Sequence, residues 1–407
     1  MRASLDPAAQ HTTFLTMHAT SQNSGTIPGL QDFDYQPRTR VVFGADSLER
    51  VGELARDLGA KHVLLVTDKG IAAAGHPARA VGFLEAAGLH VTIYDEVREN
   101  PSTVDVDRCV AVAREAGIDL IVGLGGGSSM DTAKGANFIL TNGGQIKDYW
   151  GVGKATKPML PLIAIPTTAG TGSECQSFAL ISDEQTHLKM ACGDPKASAK
   201  IAILDPLLTV SQPPRVTACT GIDALAHALE TAVSKKRTPF SAIYSREAFR
   251  LCLGGLERVL RDPGDLEARG MMQLGAAFAG TAIENSMLGA AHAAANPLTA
   301  RFGIVHGQAV GLMLPVVIAF NARDPLAHER YLELSNGVDL GPIDEFVAEL
   351  EVLLDVAKLR EGLAQYSIDP TLFPTLAKEA AQQWTAGFNP RAIAAEDFVL
   401  LYEEVFA

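Results

Sequence analysis

The chain has 407 residues, with 34 basic against 47 acidic side chains and a formal net charge of −13. That balance argues against a nucleic-acid binder, which carries a basic footprint, and 47% hydrophobic with 20% charged residues is a globular composition. At roughly one domain per 150 residues the length fits two or three domains.

Five cysteines (Cys109, Cys175, Cys192, Cys219, Cys252) are odd in number, widely spaced and without a Cys-x-x-Cys pair. This speaks against a disulfide framework or a thiolate zinc site and for a reducing compartment. The longest apolar run, Ala309 to Phe320, contains Pro315 and falls short of the roughly 20 residues that a membrane-spanning helix needs. The opening Met1-Arg-Ala-Ser-Leu-Asp6 has no apolar stretch of signal-peptide length. The expectation is a soluble, cytoplasmic protein with no membrane and no nucleic-acid partner.

Residues 1–35 are rich in Ser, Thr, Gln and Ala without a sustained period, and read as a flexible extension. From 36 to 207, short apolar runs at 62–67, 89–94, 119–123 and 162–165 read as buried strands. Helix-like stretches at 47–58, 78–87, 104–116 and 129–140 lie between them. Strands alternating with helices imply an α/β, dinucleotide-binding type of domain with a mostly parallel sheet covered on both faces. After Leu204-Asp-Pro206, and past Pro213-Pro214, helical patterns dominate to the end. The expected second domain, 208–407, is all-helical.

Three loops follow expected strands, where ligands of such sheets bind. The run Gly125-Gly-Gly-Ser-Ser129 opens a helix that carries Asp131 and Lys134. Glycines admit a phosphate to the backbone, and the helix N-terminus offers free N–H groups; a plain tight turn has the same composition. The candidates there are Gly126, Gly127, Ser128 and Asp131. Asp68 follows the first strand, where it can contact a ribose hydroxyl and repel a 2′-phosphate, or simply cap a helix. Pro166-Thr-Thr-Ala-Gly-Thr-Gly-Ser-Glu174 supplies hydroxyls and small residues suited to phosphate contacts. Together the loops favour a nucleotide site.

In the helical half, Asp223 and His227 are four apart, on one helix face. His292 and His306 sit in Ala- and Gly-rich surroundings, and His306 stands at an expected helix start. One carboxylate and three imidazoles form a set suited to Fe²⁺ or Zn²⁺ with an open position. An Asp–His pair at this spacing can equally be a hydrogen-bonded pair, although three imidazoles in apolar surroundings are costly without partners.

These motifs together resemble the iron-dependent (group III) alcohol dehydrogenases. The matching segments are Gly125–Lys134, Ile165–Glu174, Asp205-Pro206, Thr220-Gly-Ile-Asp-Ala-Leu-Ala-His227 and Asn389-Pro-Arg391. The resemblance covers about residues 36–405. It implies metal ligands at Asp223, His227, His292 and His306, and a ribose contact at Asp68 that favours NAD over NADP. It further implies cofactor contacts at Asn100, Gly127, Ser128, Thr167, Thr168, Lys189, Leu207 and Val210. The implied reaction is hydride transfer between NAD and a small primary alcohol or aldehyde, with Fe²⁺ (alternatively Zn²⁺) as metal and a homo-oligomer, dimer or larger, as the assembly.

The chain departs from that pattern at Asn296, where well-known members carry a histidine near the nicotinamide. Asparagine hydrogen-bonds but cannot shuttle a proton near neutral pH, so Asn296 enters the catalytic set with an altered role. Ile283 and Thr385 or Trp384 occupy expected substrate-pocket positions. Arg301, the nearest cation in sequence, would suit a hydroxyacid or semialdehyde substrate, or a hydroxyacid–oxoacid transhydrogenase, if it held a carboxylate. A dehydroquinate-synthase-like lyase would need several basic residues near the metal, where this sequence has mainly Ala, Leu, Gly and Asn.

Overall fold

The computed structural model describes residues 32–186, 188–360 and 366–406, so the extension expected over 1–35 lies almost entirely outside the described residues. Among them nine strands appear in chain order: β1 (Arg40–Phe43), β2 (His62–Val66), β3 (His90–Tyr94), β4 (Leu120–Gly125), β5 (Gly151–Val152), β6 (Leu162–Pro166), β7 (Phe178–Ser182), β8 (Lys189–Gly193) and β9 (Ile201–Leu204). Six of them make a parallel sheet in the order β1-β9-β6-β4-β2-β3. Alternate residues of one strand face different cores. Leu64 and Val66 pack with Val106, Val110 and Met130, while Val63 and Leu65 pack with Leu48, Leu54 and Leu84. Burial on both faces is why these strands read as continuous apolar runs.

Five helices cover the sheet: α1 (Val51–Asp57), α2 (Lys69–Ala73), α3 (His76–Ala86), α4 (Thr103–Ala116) and α5 (Gly127–Asn142). Local chemistry sets their starts. Ser102 and Asp105 form a capping box that opens α4. The stretch expected as one helix over 47–58 begins as a 3₁₀ turn, Ser47–Arg50. The helix expected over 129–140 begins two residues earlier, because the extended Gly126 serves as its N-cap.

Two features were not anticipated. Strands β1 and β9 escape a pattern search because each has only four residues, and β1 exposes three of them. A second sheet, β5-β8-β7, pairs β7 with β8 antiparallel, and its strands alternate along the chain with β6 and β9 of the main sheet.

Among the described residues nine α-helices follow: α6 (Pro214–Val233), α7 (Pro239–Arg261), α8 (Leu266–Glu284), α9 (Ala290–Phe302), α10 (His306–Asn321), α11 (Pro325–Asn336), α12 (Ile343–Val356), α13 (Phe373–Ala381) and α14 (Ala395–Phe406). The strands all precede residue 205, as expected, and the helices enclose their own core around Leu225, Leu229, Met313 and Phe346. Residues from Tyr35 onward pack as one unit. Among the described residues no helix is long and apolar enough to cross a membrane. All five cysteines are buried and free.

Strand order explains where a ligand can bind. From β2 the chain moves outward to β3, then returns past β2 to β4 and onward to β6. This reversal between β2 and β4 opens a crevice at their carboxyl ends. Asp68 and Gly125–Gly127 stand there.

Candidate metal and cofactor site

Helix α6 is buried along almost its whole length from Thr217 onward. Asp223, His227 and Glu230, spaced four and three apart, share one of its faces. His292 lies in the first turn of α9 and His306 is the first residue of α10. The fold brings the four expected ligands together. The Nε2 atoms of His227, His292 and His306 lie 3.6, 3.4 and 3.9 Å from the same oxygen, Oδ1 of Asp223. The His227 and His292 rings stack with centroids 4.9 Å apart, and His306 is tilted 5.4 Å from His292.

These contacts are not a hydrogen-bonded cluster. Asp223 Oδ1 and His292 Nε2 are buried and make no hydrogen bond. A buried acceptor and a buried ring nitrogen left without partners are costly, and a divalent cation among them satisfies both. The donor set of one oxygen and three imidazole nitrogens suits Fe²⁺ or Zn²⁺. Asp223, His227 and His292 have ligand atoms within 4.8 Å of one another; His306 completes the ring from its more exposed side, its side chain 32% exposed.

The electrostatics divide the imidazoles. Burial opposes ionisation of Asp223, but the surrounding histidines outweigh it and hold the carboxyl well below its usual range. Burial lowers His227, and pushes His306 down to about 3, with Asp223 only partly opposing. Both therefore present neutral, donor-competent rings. For His292 burial is overcome by Glu230 and Asp223, which raise it to about 9.

Glu230 went unnoticed in the sequence. It is 3% exposed, and its Oε2 accepts from His292 Nδ1. Its Oε1 accepts from the backbone N–H of Ala291 at 2.7 Å, while Asn389 Oδ1 accepts from Ala290 N at 3.2 Å. The exposed N–H groups that begin α9 are thus capped by side chains from distant segments. The Glu230–His292 contact leaves Nε2 as the free ring donor, the arrangement in which a carboxylate orients a metal-binding histidine. The signal for Glu230 was its spacing from Asp223 and His227 on one apolar helix face.

Gly307 allows α10 to approach α6. A Cβ at this position would lie 2.0 Å from the Cys219 carbonyl oxygen. Gly307→Ala should therefore shift α10 and carry His306 away from Asp223. The expected outcome is a stability loss of about 1–3 kcal/mol in denaturant melts, together with weaker metal retention; an unchanged midpoint and metal content would show that the helix contact tolerates the methyl.

The cofactor candidates fall mostly on the carboxyl edge of the sheet. Asp68 caps α2, its Oδ1 accepting from Ile71 N at 2.9 Å, so it performs the capping role considered for it. Its Oδ2 nevertheless stays beside the glycine turn, 3.5 Å from where a Cβ on Gly125 would stand. Gly125 itself has φ +152°, and a Cβ there would meet Ser129 Oγ at 2.3 Å, so this turn requires glycine. Gly126 is the cap and Gly127 and Ser128 form the first turn of α5. Asn100, at φ +51°, donates its backbone N–H to Ser128 Oγ at 3.2 Å and accepts from Lys189 Nζ at 3.3 Å. Thr167 and Thr168 follow β6; Thr167 Oγ1 accepts from Gln212 Nε2 at 3.2 Å, and Thr168 adjoins Gly126. Leu207 and Val210 lie at the turn after β9, with Val210 41% exposed.

Asp131 differs from the rest. It accepts from Ser173 Oγ at 3.2 Å, and burial lifts its carboxyl to about 6 against the pull of Lys134 and Lys189. Lys134 is fully buried, its ammonium donating to Ser173 O (2.6 Å), Ser173 Oγ (2.9 Å) and Phe178 O (3.0 Å). All three ammonium donors are used, so this pair fastens α5 to the β6–β7 connection.

Asn296 Nδ2 donates to Gln383 Oε1 at 3.0 Å. Ile283 and Thr385 are buried, whereas Trp384 is half exposed and lies against Phe178. Arg301 forms a two-point ion pair with Glu379 on the surface, so the carboxylate-binding role considered for it has no support.

The family model for iron-containing alcohol dehydrogenase matches residues 37–206, and that for the C-terminal part of the Fe-containing alcohol dehydrogenase family matches 217–406. The chain is 36% identical over 355 residues to alcohol dehydrogenase 4 of Schizosaccharomyces pombe, covering 86% of this chain and 83% of that one. It is 32% identical over 362 residues to the NAD-dependent methanol dehydrogenase of Bacillus methanolicus, covering 88% and 95%. Among solved structures, a 1,3-propanediol oxidoreductase superposes with a TM-score of 0.88 at 31% identity, covering 92% of this chain and 100% of that chain.

Proposed function

The chain belongs to the iron-containing alcohol dehydrogenase family, and from that premise we propose that it is a metal-dependent oxidoreductase exchanging hydride between NAD and a small primary alcohol or aldehyde. One observation carries the reading: three imidazole Nε2 atoms converge on the unpartnered Asp223 Oδ1, in a chain whose sheet presents a glycine turn for a dinucleotide.

Asp223, His227, His292 and His306 hold the metal, Fe²⁺ in this proposal with Zn²⁺ as the alternative. When bound, the ion supplies Lewis-acid polarisation of the alcohol oxygen and the nicotinamide supplies the hydride acceptor. The residues orient and insulate. The proton that Glu230 and Asp223 otherwise favour on His292 would be displaced by a divalent ion, and with three neutral imidazoles and one carboxylate the centre would carry a net charge near +1, which favours an oxygen developing negative charge. Gly126, Gly127 and Ser128 offer the α5 N-terminus to the pyrophosphate, supported by Asn100, Lys189, Thr167 and Thr168. Leu207 and Val210 provide apolar contact farther along the edge. Asn296 is engaged with Gln383 and does not titrate, so the alcohol proton leaves through solvent rather than through this side chain.

The division at 207/208 into a cofactor domain and a metal domain, a homo-oligomeric assembly, and a cytoplasmic location are parts of the same proposal. The buried thiols suit a reducing compartment: burial pushes Cys109, Cys192 and Cys252 up to about 12.

The test is reduced-nicotinamide absorbance with anaerobic, Fe²⁺- or Zn²⁺-loaded protein, NAD or NADP, and a panel of primary alcohols, diols and hydroxyacids. Signal with a short primary alcohol and NAD that is lost on chelation is expected. Signal only with hydroxyacids, or none despite NAD binding, overturns the substrate class.

Cofactor choice has its own test. Asp68→Gly keeps a residue type tolerated at a helix cap, at a cost of a few tenths of a kcal/mol, while removing the charge that repels a 2′-phosphate. The ratio of kcat/KM for NAD over NADP should fall by about tenfold or more, equivalent to ~1.4 kcal/mol. An unchanged ratio removes Asp68 from the ribose site.

A further inference from the structure

The four metal ligands come from three helices, α6, α9 and α10, and one short segment, Phe388–Arg391, bonds to an end of each. Just past the end of α6, Lys235 N donates to Phe388 O at 2.9 Å and Lys236 Nζ stands 4.8 Å over the Phe388 ring. At the start of α9, Ala290 N donates to Asn389 Oδ1 at 3.2 Å. At the end of α10, Arg391 Nη1 donates to Phe320 O at 2.9 Å, and its guanidinium lies 3.9 Å over the Phe320 ring. A cation thus meets one of the carbonyls that end the helix, the favourable sign there.

Asn389 is the centre of the segment. It is 1% exposed, and its amide uses all four of its hydrogen-bonding positions. Oδ1 accepts from Ala290 N and from Asn321 Nδ2 (3.0 Å), while Nδ2 donates to Asn321 Oδ1 (2.7 Å) and to Arg391 O (2.8 Å). Asn321 is the last residue of α10. These partners fix which way the Asn389 amide turns, because reversed it would set Nδ2 against the Ala290 N–H, donor against donor. A carboxylate in its place could not donate to either oxygen. Asn389 Oδ1 and Glu230 Oε1 meet over Gly289, 3.0 and 3.2 Å from where a Cβ on that residue would stand. The side chain that caps α9 at Ala290 therefore adjoins the one that caps it at Ala291 and holds His292 Nδ1. His306, at the other end of α10, lies about 22 Å from Asn321 by helical rise, so the segment bears on His292 first.

We propose that Phe388–Arg391 is a clasp on the three ligand-bearing helices and that Asn389 is a positioning residue for the metal centre, a role that rests on Asp223, His227, His292 and His306 being the metal ligands. By holding the first turn of α9 against the end of α10, Asn389 keeps Glu230 in register with His292 and so keeps His292 Nε2 aimed at the centre.

Co²⁺ is the probe, added to metal-free protein at a temperature where the melting curve of every variant shows it folded. Asn389→Ala should bind Co²⁺ about tenfold or more weakly than the unmodified protein, within the range seen for changes to the partners of metal ligands. At saturation its visible ligand-field bands should differ from those of the unmodified protein, because the ligands are placed differently. Asn321→Ala, which leaves Glu230 and the Ala290 N–H untouched, should show the same loss in smaller degree. Asn137→Ala controls for stability alone: Asn137 is equally buried but ties α5 to Leu160, and its variant should bind Co²⁺ as the unmodified protein does. Unchanged Co²⁺ affinity in Asn389→Ala, or unchanged bands at saturation, overturns the clasp. An equal loss of affinity in Asn137→Ala overturns it too, since lost stability would then account for both. Where Asn389→Ala fails to fold, Asn321→Ala decides by the same measure. Unmodified protein that takes up no Co²⁺ overturns the metal reading itself, and the clasp with it.

Discussion

His292→Ala is expected to yield a protein that elutes and melts as a folded chain yet no longer keeps a divalent ion through gel filtration. The imidazole provides one of the three Nε2 atoms around Asp223 Oδ1, at 3.4 Å, and no other nitrogen in the described chain is placed to substitute. Its removal also leaves Glu230 with one fewer donor, although Oε1 still accepts from Ala291 N at 2.7 Å. Turnover should fall by more than about 100-fold, beyond the range produced by changing a residue that only supports a ligand. Metal content by elemental analysis and the nicotinamide absorbance assay read the two effects separately. Full metal content together with full activity would move the centre away from these four residues.

Glu230→Gln should have the next largest effect, and its mechanism is a tautomer. The carboxylate can only accept, so it holds the proton of His292 on Nδ1 and frees Nε2 for the metal. A glutamine of the same shape has a single acceptor oxygen: turned to Ala291 N it preserves the start of α9 and presents its amide N–H to His292, so the ring proton moves to Nε2 and blocks donation, whereas turned to His292 it leaves the Ala291 N–H without that acceptor. Even with the oxygen forward, the neutral amide no longer raises the basicity of the ring. Metal affinity should weaken about 10–100-fold, with kcat recovering as metal is added in excess and the melting curve close to that of the unmodified protein. Affinity equal to the unmodified protein's would show that Glu230 serves only to cap α9. Glu230→Ala removes the cap and the tautomer control together, so its loss of stability beyond that of Glu230→Gln reads the cap.

Particular residues show what was readable before the structure. Runs such as His62–Val66 and Leu162–Pro166 announce buried parallel strands, because residues sealed on both faces must all be apolar. The pair Asp223 and His227 was legible because both sit on one helix, where spacing alone determines that they share a face. Glu230 obeyed the same rule and could have been added; a lone glutamate in an apolar run also fits a surface position, and only its burial separates the two. His292 and His306 belong to other helices. Their residue types and the family resemblance marked them, while no local period could have shown their rings converging on one oxygen. The role of Asn296 was likewise hidden, since Gln383 is 87 positions away.

The sequence by itself marked the buried strands β2, β3, β4 and β6 with helices between them, the glycine turn at Gly125–Gly127 and the helical character of the second half. Each of these follows from neighbours within a turn or two, through periodicity, φ preference or an N-cap. Only the tertiary structure decided that β1 joins β9 at the sheet edge and that β2 and β4 flank the crevice. It alone turned Arg301 to Glu379 and set Glu230 and Asn389 over the start of α9. These pairings join residues tens to more than a hundred positions apart. They are selected by burial and by the need of each buried polar group for a partner, which a local pattern does not encode.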